Sequence, residues 1–161
     1  MEFYHIKDEY IAFLKQYDNK VPENKNESRP YVGVVLEING IRYYAPFTSP
    51  KEKHKKMRNT HDFRKIEGGL YGAINFNNMI PVVDDVLIYI DINSVEDIRY
   101  KSLLQNQYRA ILADSAQIKA TAKMLHTILM KDENTLSTHE KKIKSRCCNL
   151  RLLEQVYCSY T

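Results

Sequence analysis

The stretch YVGVVLEINGIRYYAPFTSPK, residues 31–51, contains the clearest local structural signal in this 161-residue sequence. Two runs rich in β-branched and aromatic residues flank Asn39 and Gly40, the dipeptide that most favours a two-residue type I′ hairpin turn. The sequence therefore predicts two antiparallel strands joined at this turn, with Ile38 opposite Ile41.

Counting outward from the turn gives the predicted register and the two faces of the hairpin. The predicted pairs are Glu37 with Arg42, Val35 with Tyr44, Gly33 with Pro46 and Tyr31 with Thr48. Alternation places on the core face Val32, Val34, Leu36, Ile38, Ile41, Tyr43, Ala45 and Phe47. It places on the open face Arg29, Tyr31, Glu37, Arg42, Tyr44 and Thr48. We therefore expect Arg29, Tyr31 and Thr48 together at one end of the hairpin.

The residues after the second strand are typical of a helix start. Ser49 is the predicted N-cap, Pro50 takes the first helical position, and Glu52 completes a capping box. The hydroxyls of Thr48 and Ser49, the first helix amides and Lys51 would then converge near Arg29. This combination of donors and cations is typical of a phosphate site.

Positive charge is concentrated in one segment of the chain. The net charge is +4, and residues 51–65, KEKHKKMRNTHDFRK, hold seven Lys or Arg against two acids, or +5, which leaves −1 for the remainder. A solvated helix face would explain part of this, but its charges usually alternate in sign. The one-sign cluster favours a polyanionic partner, with nucleic acid the first candidate.

The predicted RNA-binding residues lie in this segment, on the hairpin and near the C-terminus. Those in the segment are Lys53, His54, Lys55, Lys56, Arg58, Phe63, Arg64 and Lys65. Tyr31 and Tyr44 join Phe63 as expected platforms for unpaired bases. A second, separate basic stretch contributes Lys141, Lys142 and Lys144.

The remaining pattern predicts a single domain over residues 1–161 with mixed α and β elements. In the first part of the chain we expect a strand at EFYHI, a helix capped by Asp8 and an exposed loop over 19–30. After the hairpin we expect strands in GLYGAINFNNMIPVV and DVLIYIDI, and two helices between 95 and 131 that are broken near ADSA. The last elements are a polar connection at DENTLSTHEKKIKSRCC and a closing helix at NLRLLEQVYCSY. There is neither a membrane-length apolar run nor a signal-peptide pattern. We expect a cytoplasmic protein with no membrane contact.

Several kinds of chemistry have no motif in the sequence. There is no Walker loop, dinucleotide fingerprint, HExxH pair or GxSxG elbow. Asp84, Asp85 and Asp91 could form a two-metal nuclease cluster, although loop polarity explains them more simply. Cys147, Cys148 and Cys158 form neither a disulfide framework nor a recognised metal site with His139. No metal and no cofactor are expected.

The predicted phosphate site suits metal-independent RNA cleavage. The ribose 2′-hydroxyl is the nucleophile, so the protein needs to position it, accept its proton, stabilise charge on phosphorus and protonate the leaving 5′-oxygen. Cations and hydroxyls are sufficient for these tasks. The competing hypothesis is a non-catalytic nucleic-acid-binding module, in which the same cations only neutralise phosphates.

Four stretches together resemble the ToxN and AbiQ family of type III toxin-antitoxin endoribonucleases. They are MEFYHIKDEYIAFLKQYD, YVGVVLEINGIRYYAPFTSPK, GAINFNNMIPVV and YKSLLQNQYRAIL, and the match is collinear over most of residues 1–131. The resemblance implies a twisted, partly barrel-like antiparallel sheet similar to the PemK and MazF toxins, elaborated by helices. It also implies a metal-independent ribonuclease that leaves 2′,3′-cyclic phosphate ends and is inhibited by a small repeat RNA antitoxin.

The same resemblance assigns catalytic positions. The family's threonine and serine correspond to Thr48 and Ser49, its lysine after the proline to Lys51, and its basic residue upstream of the hairpin to Arg29. Arginine stays protonated, so Arg29 is interpreted as a clamp for the transition state rather than a base. Lys51 is one candidate for the general base, and a backbone or solvent route is the alternative.

The predicted partners are the antitoxin and a cellular or phage RNA substrate. Each processed repeat has two ends made by cleavage, and both ends should remain in active sites. Together with the two separate basic stretches, this favours a closed hetero-oligomer in which each RNA bridges neighbouring protein copies.

Overall fold

The computed structural model describes residues 1–161 as a mixed α+β fold around one antiparallel sheet. The strands are β1 (Glu2–Ile6), β2 (Tyr31–Ile38), β3 (Ile41–Thr48), β4 (Arg64–Lys65), β5 (Ala73–Ile74), β6 (Ile80–Pro81) and β7 (Leu87–Tyr89). The helices are α1 (Asp8–Lys15), α2 (Glu52–Lys56), α3 (Ile98–Ala113), α4 (Ser115–Leu129), α5 (Thr138–Arg146) and α6 (Leu150–Val156).

The sheet has the strand order β4-β5-β3-β2-β1-β7, and β6 pairs with β3 outside this path. The path has two ends, so the sheet does not close into a barrel. The central hairpin of β2 and β3 carries most of the buried apolar side chains of the sheet, and one continuous hydrophobic core joins it to α1, α3, α4 and α6. The α+β class and the central hairpin agree with the sequence prediction.

The turn between β2 and β3 has the predicted type I′ character. Asn39 and Gly40 both have positive φ, at 51° and 77°, which matches the strand twist at a two-residue turn. The three pairs nearest the turn, including Glu37 with Arg42, have the predicted register.

Beyond those pairs, the predicted register is wrong. Gly33, not Val35, lies opposite Tyr44, and Tyr31 lies opposite Pro46 rather than Thr48. The cause is a bulge between Gly33 and Leu36, which puts two extra residues into β2 and bends the strand. Thr48 instead lies opposite Ala73 of β5.

The predicted open face of the hairpin is also partly wrong. Tyr31 and Tyr44 are 0% and 2% exposed, because both faces of the middle of the hairpin are covered. The Tyr44 ring packs edge-on against Tyr4 of β1, with 5.6 Å between centroids. On the expected core face Val32, Tyr43, Ala45 and Phe47 are buried, whereas Val34, Leu36, Ile38 and Ile41 are half-buried.

The helices predicted after residue 8, in the middle of the chain and near its C-terminus are all present, whereas the cap of α1 and the polar connection differ from the prediction. The two predicted helices between residues 95 and 131 are α3 and α4, separated at Asp114. The expected polar connection instead forms α5, which Ser137 starts by accepting a hydrogen bond from the Glu140 amide. Asp8 is the first residue of α1 rather than its cap, and its carboxylate accepts hydrogen bonds from Asn24 and from the Glu27 amide.

Candidate active site

A cavity of about 420 Å³ opens where β3 ends. Its lining includes all four predicted catalytic residues: Arg29, Thr48, Ser49 and Lys51. The other lining residues are His5, Lys25, Ser28, Pro30, Phe47, Tyr100 and Gln107. The cavity thus contains the basic side chains of Lys25, Arg29 and Lys51, several hydroxyls and one imidazole, and no carboxylate, which is a lining suited to a phosphate group.

The hydroxyls of Thr48 and Ser49 stand at the last residue of β3 and the first residue after it. The Thr48 Oγ1 atom is buried and has no hydrogen-bond partner within the protein, whereas Ser49 is exposed. Gly72 approaches this strand end so closely that an added Cβ would lie 1.8 Å from the Thr48 carbonyl oxygen. Gly72 also has a φ of 98°, in the region that favours glycine.

The predicted capping role of Ser49 is wrong, because α2 begins three residues later, at Glu52. Lys51 precedes the helix with extended backbone, and its amide donates a hydrogen bond to Nδ1 of His54 at 3.1 Å. His54 itself is 3% exposed. Burial, followed by the charges of Lys51 and Lys53, lowers the pKa of His54, so the ring stays neutral and continues to accept that hydrogen bond.

Arg29 reaches the cavity from the loop that precedes β2. Its Nε donates to the Glu23 carbonyl at 2.6 Å, which fixes the guanidinium while leaving the terminal nitrogens for a ligand. Three consecutive residues of this loop, Lys25, Asn26 and Glu27, have left-handed φ values between 52° and 59°. Hydrogen bonds between Asp8 and Glu27 in both directions hold the loop against α1. The loop is therefore a strained but anchored part of the cavity wall.

Sequence reasoning missed five polar residues of the cavity: His5, Lys25, Ser28, Tyr100 and Gln107. Gln107 is 1% exposed, and its amide nitrogen donates to the carbonyls of Thr48 and Tyr71 at 3.4 and 2.9 Å. Its Oε1 atom has no partner. A glutamine on the apolar side of α3, within NQYRAI, was the only signal in the sequence that could have identified it.

His5 is half-buried in the cavity wall, on β1. Burial lowers the pKa of the His5 imidazole, and the nearby Glu27 carboxylate only partly opposes this effect. The imidazole is consequently neutral at physiological pH, with a lone pair able to accept a proton.

The predicted RNA-binding residues of the basic segment divide into two groups. Lys53, Lys55, Lys56 and Arg58 are exposed on α2 and just after it. His54 and Phe63 are buried with their rings 5.8 Å apart, so the expected base platform at Phe63 is covered, as those at Tyr31 and Tyr44 are. Arg64 and Lys65 are half-buried.

The Arg64 guanidinium is neutralised by an ion pair. It donates two hydrogen bonds to the Asp114 carboxylate, at 2.5 and 2.8 Å. Arg64 therefore contributes less to the positive surface than its sequence position indicated. Lys65 remains at the rim of a second cavity beside it.

The two basic stretches that look separate in the sequence lie next to each other in the fold. Arg146, the last residue of α5, makes a bidentate ion pair of 2.9 Å with Asp62. The rings of His61 and His139 are 6.4 Å apart. Lys141 and Lys142 are exposed on α5, and Lys144 makes an exposed ion pair with Glu133. The two basic stretches therefore adjoin in the fold, at residues 61–62 of the first and at α5 of the second.

Two of the carboxylates considered for a metal site have other partners. Asp84 pairs with Arg42 at 3.3 Å, and Asp91 accepts from the Asn93 amide. The structure contains no group of three or more His, Cys, Asp or Glu side chains arranged to hold a metal ion. All three cysteines are free, and burial raises the pKa of Cys147 and of Cys148 to about 12.

Comparison with known proteins identifies the family. Residues 2–158 match the family described as "Toxin ToxN, type III toxin-antitoxin system". The chain belongs to the ToxN family. Endoribonuclease ToxN of Pectobacterium atrosepticum is 30% identical over 167 aligned residues, covering 98% of this chain and 92% of that protein.

Two solved structures have the same fold as this ToxN-family chain. One is described as showing selective toxin inhibition by a non-coding RNA pseudoknot in a type III toxin-antitoxin system. It has a TM-score of 0.85 and 30% identity, and the match covers 99% of this chain and 96% of that chain. The other is AbiQ, a lactococcal anti-phage endoribonuclease, with a TM-score of 0.79, 27% identity and the same coverages. The resemblance to the ToxN and AbiQ family is thereby confirmed. In the ToxN-family chain itself, no helix has both the length and the apolar character needed to span a membrane.

Proposed function

We propose that this protein is the endoribonuclease toxin of a type III toxin-antitoxin system. In this proposal it cleaves single-stranded RNA without a metal ion, by attack of the 2′-hydroxyl, and leaves 2′,3′-cyclic phosphate and 5′-hydroxyl ends. The observation that carries the proposal is the cavity at the end of β3, where Arg29, Thr48, Ser49 and Lys51 surround a space lined by cations and by no acid. Membership of the ToxN family supports the same activity.

The four residues have distinct proposed roles. The hydroxyls of Thr48 and Ser49 donate to the scissile phosphate, where preorganised donors are typically worth about 10²–10³ each in rate. Arg29 stabilises the extra charge on phosphorus, since a guanidinium remains protonated and presents paired donors. The Lys51 ammonium supports proton transfer to the leaving 5′-oxygen.

The proposed inhibitor is a small repeat RNA antitoxin, in keeping with the RNA pseudoknot named for a relative of the same fold. The proposed surface for it combines the exposed cations of α2 with Lys141, Lys142 and Lys144 of α5. The ion pair of Asp62 with Arg146 attaches the segment after α2 to α5. The proposed substrate is cellular or phage RNA in a bacterial cytoplasm, with abortive phage infection as the biological setting. The kinship with PemK and MazF folds also remains a proposal.

A closed hetero-oligomer of toxin and RNA is the proposed inactive state. Each antitoxin repeat would keep its two cleaved ends in active sites of neighbouring copies. Replacing Lys141, Lys142 and Lys144 together with glutamine should weaken RNA binding. The slope of the logarithm of the binding constant against the logarithm of salt concentration should become smaller by about 2–3. Cleavage of unstructured RNA should be nearly unchanged. A complex that remains at one protein to one RNA by light scattering would contradict the closed assembly.

The central experiment measures RNA cleavage in excess chelator and identifies the ends. We expect full activity and 2′,3′-cyclic phosphate ends. Activity lost with chelator, or ends carrying a 5′-phosphate, would exclude attack by the 2′-hydroxyl without metal. A protein that binds RNA and never cleaves it would instead be a binding module.

A further inference from the structure

The proposed reaction needs a group that removes the proton from the 2′-hydroxyl, and the four residues assigned above do not supply one. Arg29 stays protonated, and Lys51 is already assigned to the transfer of a proton to the leaving 5′-oxygen. A hydroxyl of serine or threonine is a hydrogen-bond donor to phosphate rather than a base. The general base should therefore be another group of the same cavity.

We propose that His5 is the general base of this reaction, and the inference rests on the proposed function. His5 lines the cavity together with Arg29, Thr48, Ser49 and Lys51. No side-chain hydrogen bond or ion pair occupies its ring, so the imidazole is available to a ligand. It is also the only imidazole of the cavity lining.

The charged and titratable groups around His5 come from three directions. Lys25, Glu27 and Arg29 belong to the loop before β2, Lys51 follows β3, and Tyr100 lies on α3. The combined effect of this setting is a pKa below the usual histidine value, with burial as the largest cause. A neutral imidazole is the form that a general base needs near pH 7.

The proton transfers of the cleavage step balance. His5 takes the proton from the 2′-hydroxyl while the O2′–P bond forms and the P–O5′ bond breaks. The Lys51 ammonium gives a proton to the departing 5′-oxygen. His5 then releases its proton to solvent and Lys51 regains one, so the enzyme returns to its starting state.

A bridging 5′-phosphorothiolate RNA distinguishes the base from the acid. A thiolate leaves without protonation, so this substrate makes the general acid unnecessary and leaves the requirement for a base unchanged. A cleavage site is first located in a long RNA by sequencing its 5′-hydroxyl ends, and an oligonucleotide across that site is then made with either oxygen or sulfur at the 5′ position.

We expect His5→Gln to lower kcat by about 10²–10⁴ on the oxygen substrate while RNA affinity stays close to that of the parent. The sulfur substrate should restore the rate of Lys51→Ala but not that of His5→Gln. His139→Gln, an exposed histidine outside the cavity, is the matched control and should behave like the parent. The parent's rate should fall on the acid side of the ordinary histidine pKa, and this acid limb should be absent from the residual activity of His5→Gln.

Three results would overturn the assignment: a His5→Gln rate within threefold of the parent, restoration of that variant by the sulfur substrate, or a parent profile with no acid limb. The last needs no variant and therefore does not depend on its folding. A parent protein that cleaves no RNA would instead refute the proposed function, and the role of His5 with it.

Discussion

The amide nitrogen of Gln107 lies 3.4 Å from the carbonyl oxygen of Thr48 and 2.9 Å from that of Tyr71. One side chain from the middle of α3 thus joins the end of β3 to the turn that precedes β5. Because Thr48 carries one of the proposed phosphate donors, Gln107 is placed to fix its backbone.

Gln107→Leu should therefore lower kcat by roughly 10²-fold, since small displacements of a positioned group have effects of this size. RNA affinity should change little. The decisive measurement is a double-mutant cycle: the loss should largely disappear when Thr48 is already alanine and persist in an Arg29→Ala background. Equal losses in both backgrounds would show that Gln107 supports the fold generally and not Thr48 in particular.

Thr48→Ala and Ser49→Ala should separate catalysis from both stability and binding. Each should reduce cleavage by about 10²–10³. Because α2 begins at Glu52, Ser49→Ala should leave the melting temperature nearly unchanged. Circular dichroism melts and fluorescence anisotropy with labelled RNA test these two expectations. A lost cap would lower stability by about 0.5–2 kcal/mol, and such a loss for Ser49→Ala would show that the serine does cap the helix.

Gly72→Ala should destabilise the protein and impair the site together. The new Cβ would meet the Thr48 carbonyl at 1.8 Å, and the φ of 98° adds backbone strain. We expect the free energy of unfolding, measured in urea, to fall by about 1–3 kcal/mol, and RNA cleavage to be reduced. Gly68→Ala is the matched control: its φ is 62° but nothing lies within 4 Å of the added Cβ, so strain alone should cost about 1–2 kcal/mol. Identical effects in both variants would argue against the close approach of Gly72 to Thr48.

The ion pair of Asp62 and Arg146 should contribute a pH-dependent part of stability. Burial acts to raise the pKa of Asp62, but hydrogen bonds from Arg146 and Thr60 outweigh it and hold the pKa below its ordinary value. A depressed carboxyl pKa stabilises the fold above the unfolded-state value, near 3.9, and this contribution is lost as pH falls through the folded-state pKa.

Arg146→Gln should reduce stability at pH 7 by about 1–3 kcal/mol, because it leaves a buried carboxylate poorly paired. The difference from the parent should shrink as the pH falls toward 3. Arg151→Gln, another exposed arginine of the C-terminal region, serves as the control. A difference that stays constant from pH 7 to pH 3 would exclude the pair as its source.

Local sequence signals determined those parts of the structure whose residues are adjacent in the chain. The type I′ turn at Asn39 and Gly40 follows from the preferences of those two residues, and the pairs nearest to it follow from the turn. Thr48, Ser49 and Lys51 are neighbours in the chain, so they share the end of β3 in any reasonable version of the hairpin. Arg29 reaches the same cavity despite the wrong register, because it comes from the loop that directly precedes β2 and not from the paired part of the strand.

Packing between distant parts of the chain decided which side chains of the hairpin are buried and which residues complete the cavity. A bulge in β2 and the covering of both hairpin faces buried Tyr31 and Tyr44, although alternation had placed them in solvent. His5 and Gln107 join the cavity from β1 and α3, about forty residues before and sixty after Thr48, and no local pattern encodes such a meeting. The sequence by itself determined the hairpin and the phosphate-binding residues at its end, because turn preferences and strand alternation act over a few residues. The groups that surround that phosphate site were decided by tertiary structure, because they depend on how distant elements share one core.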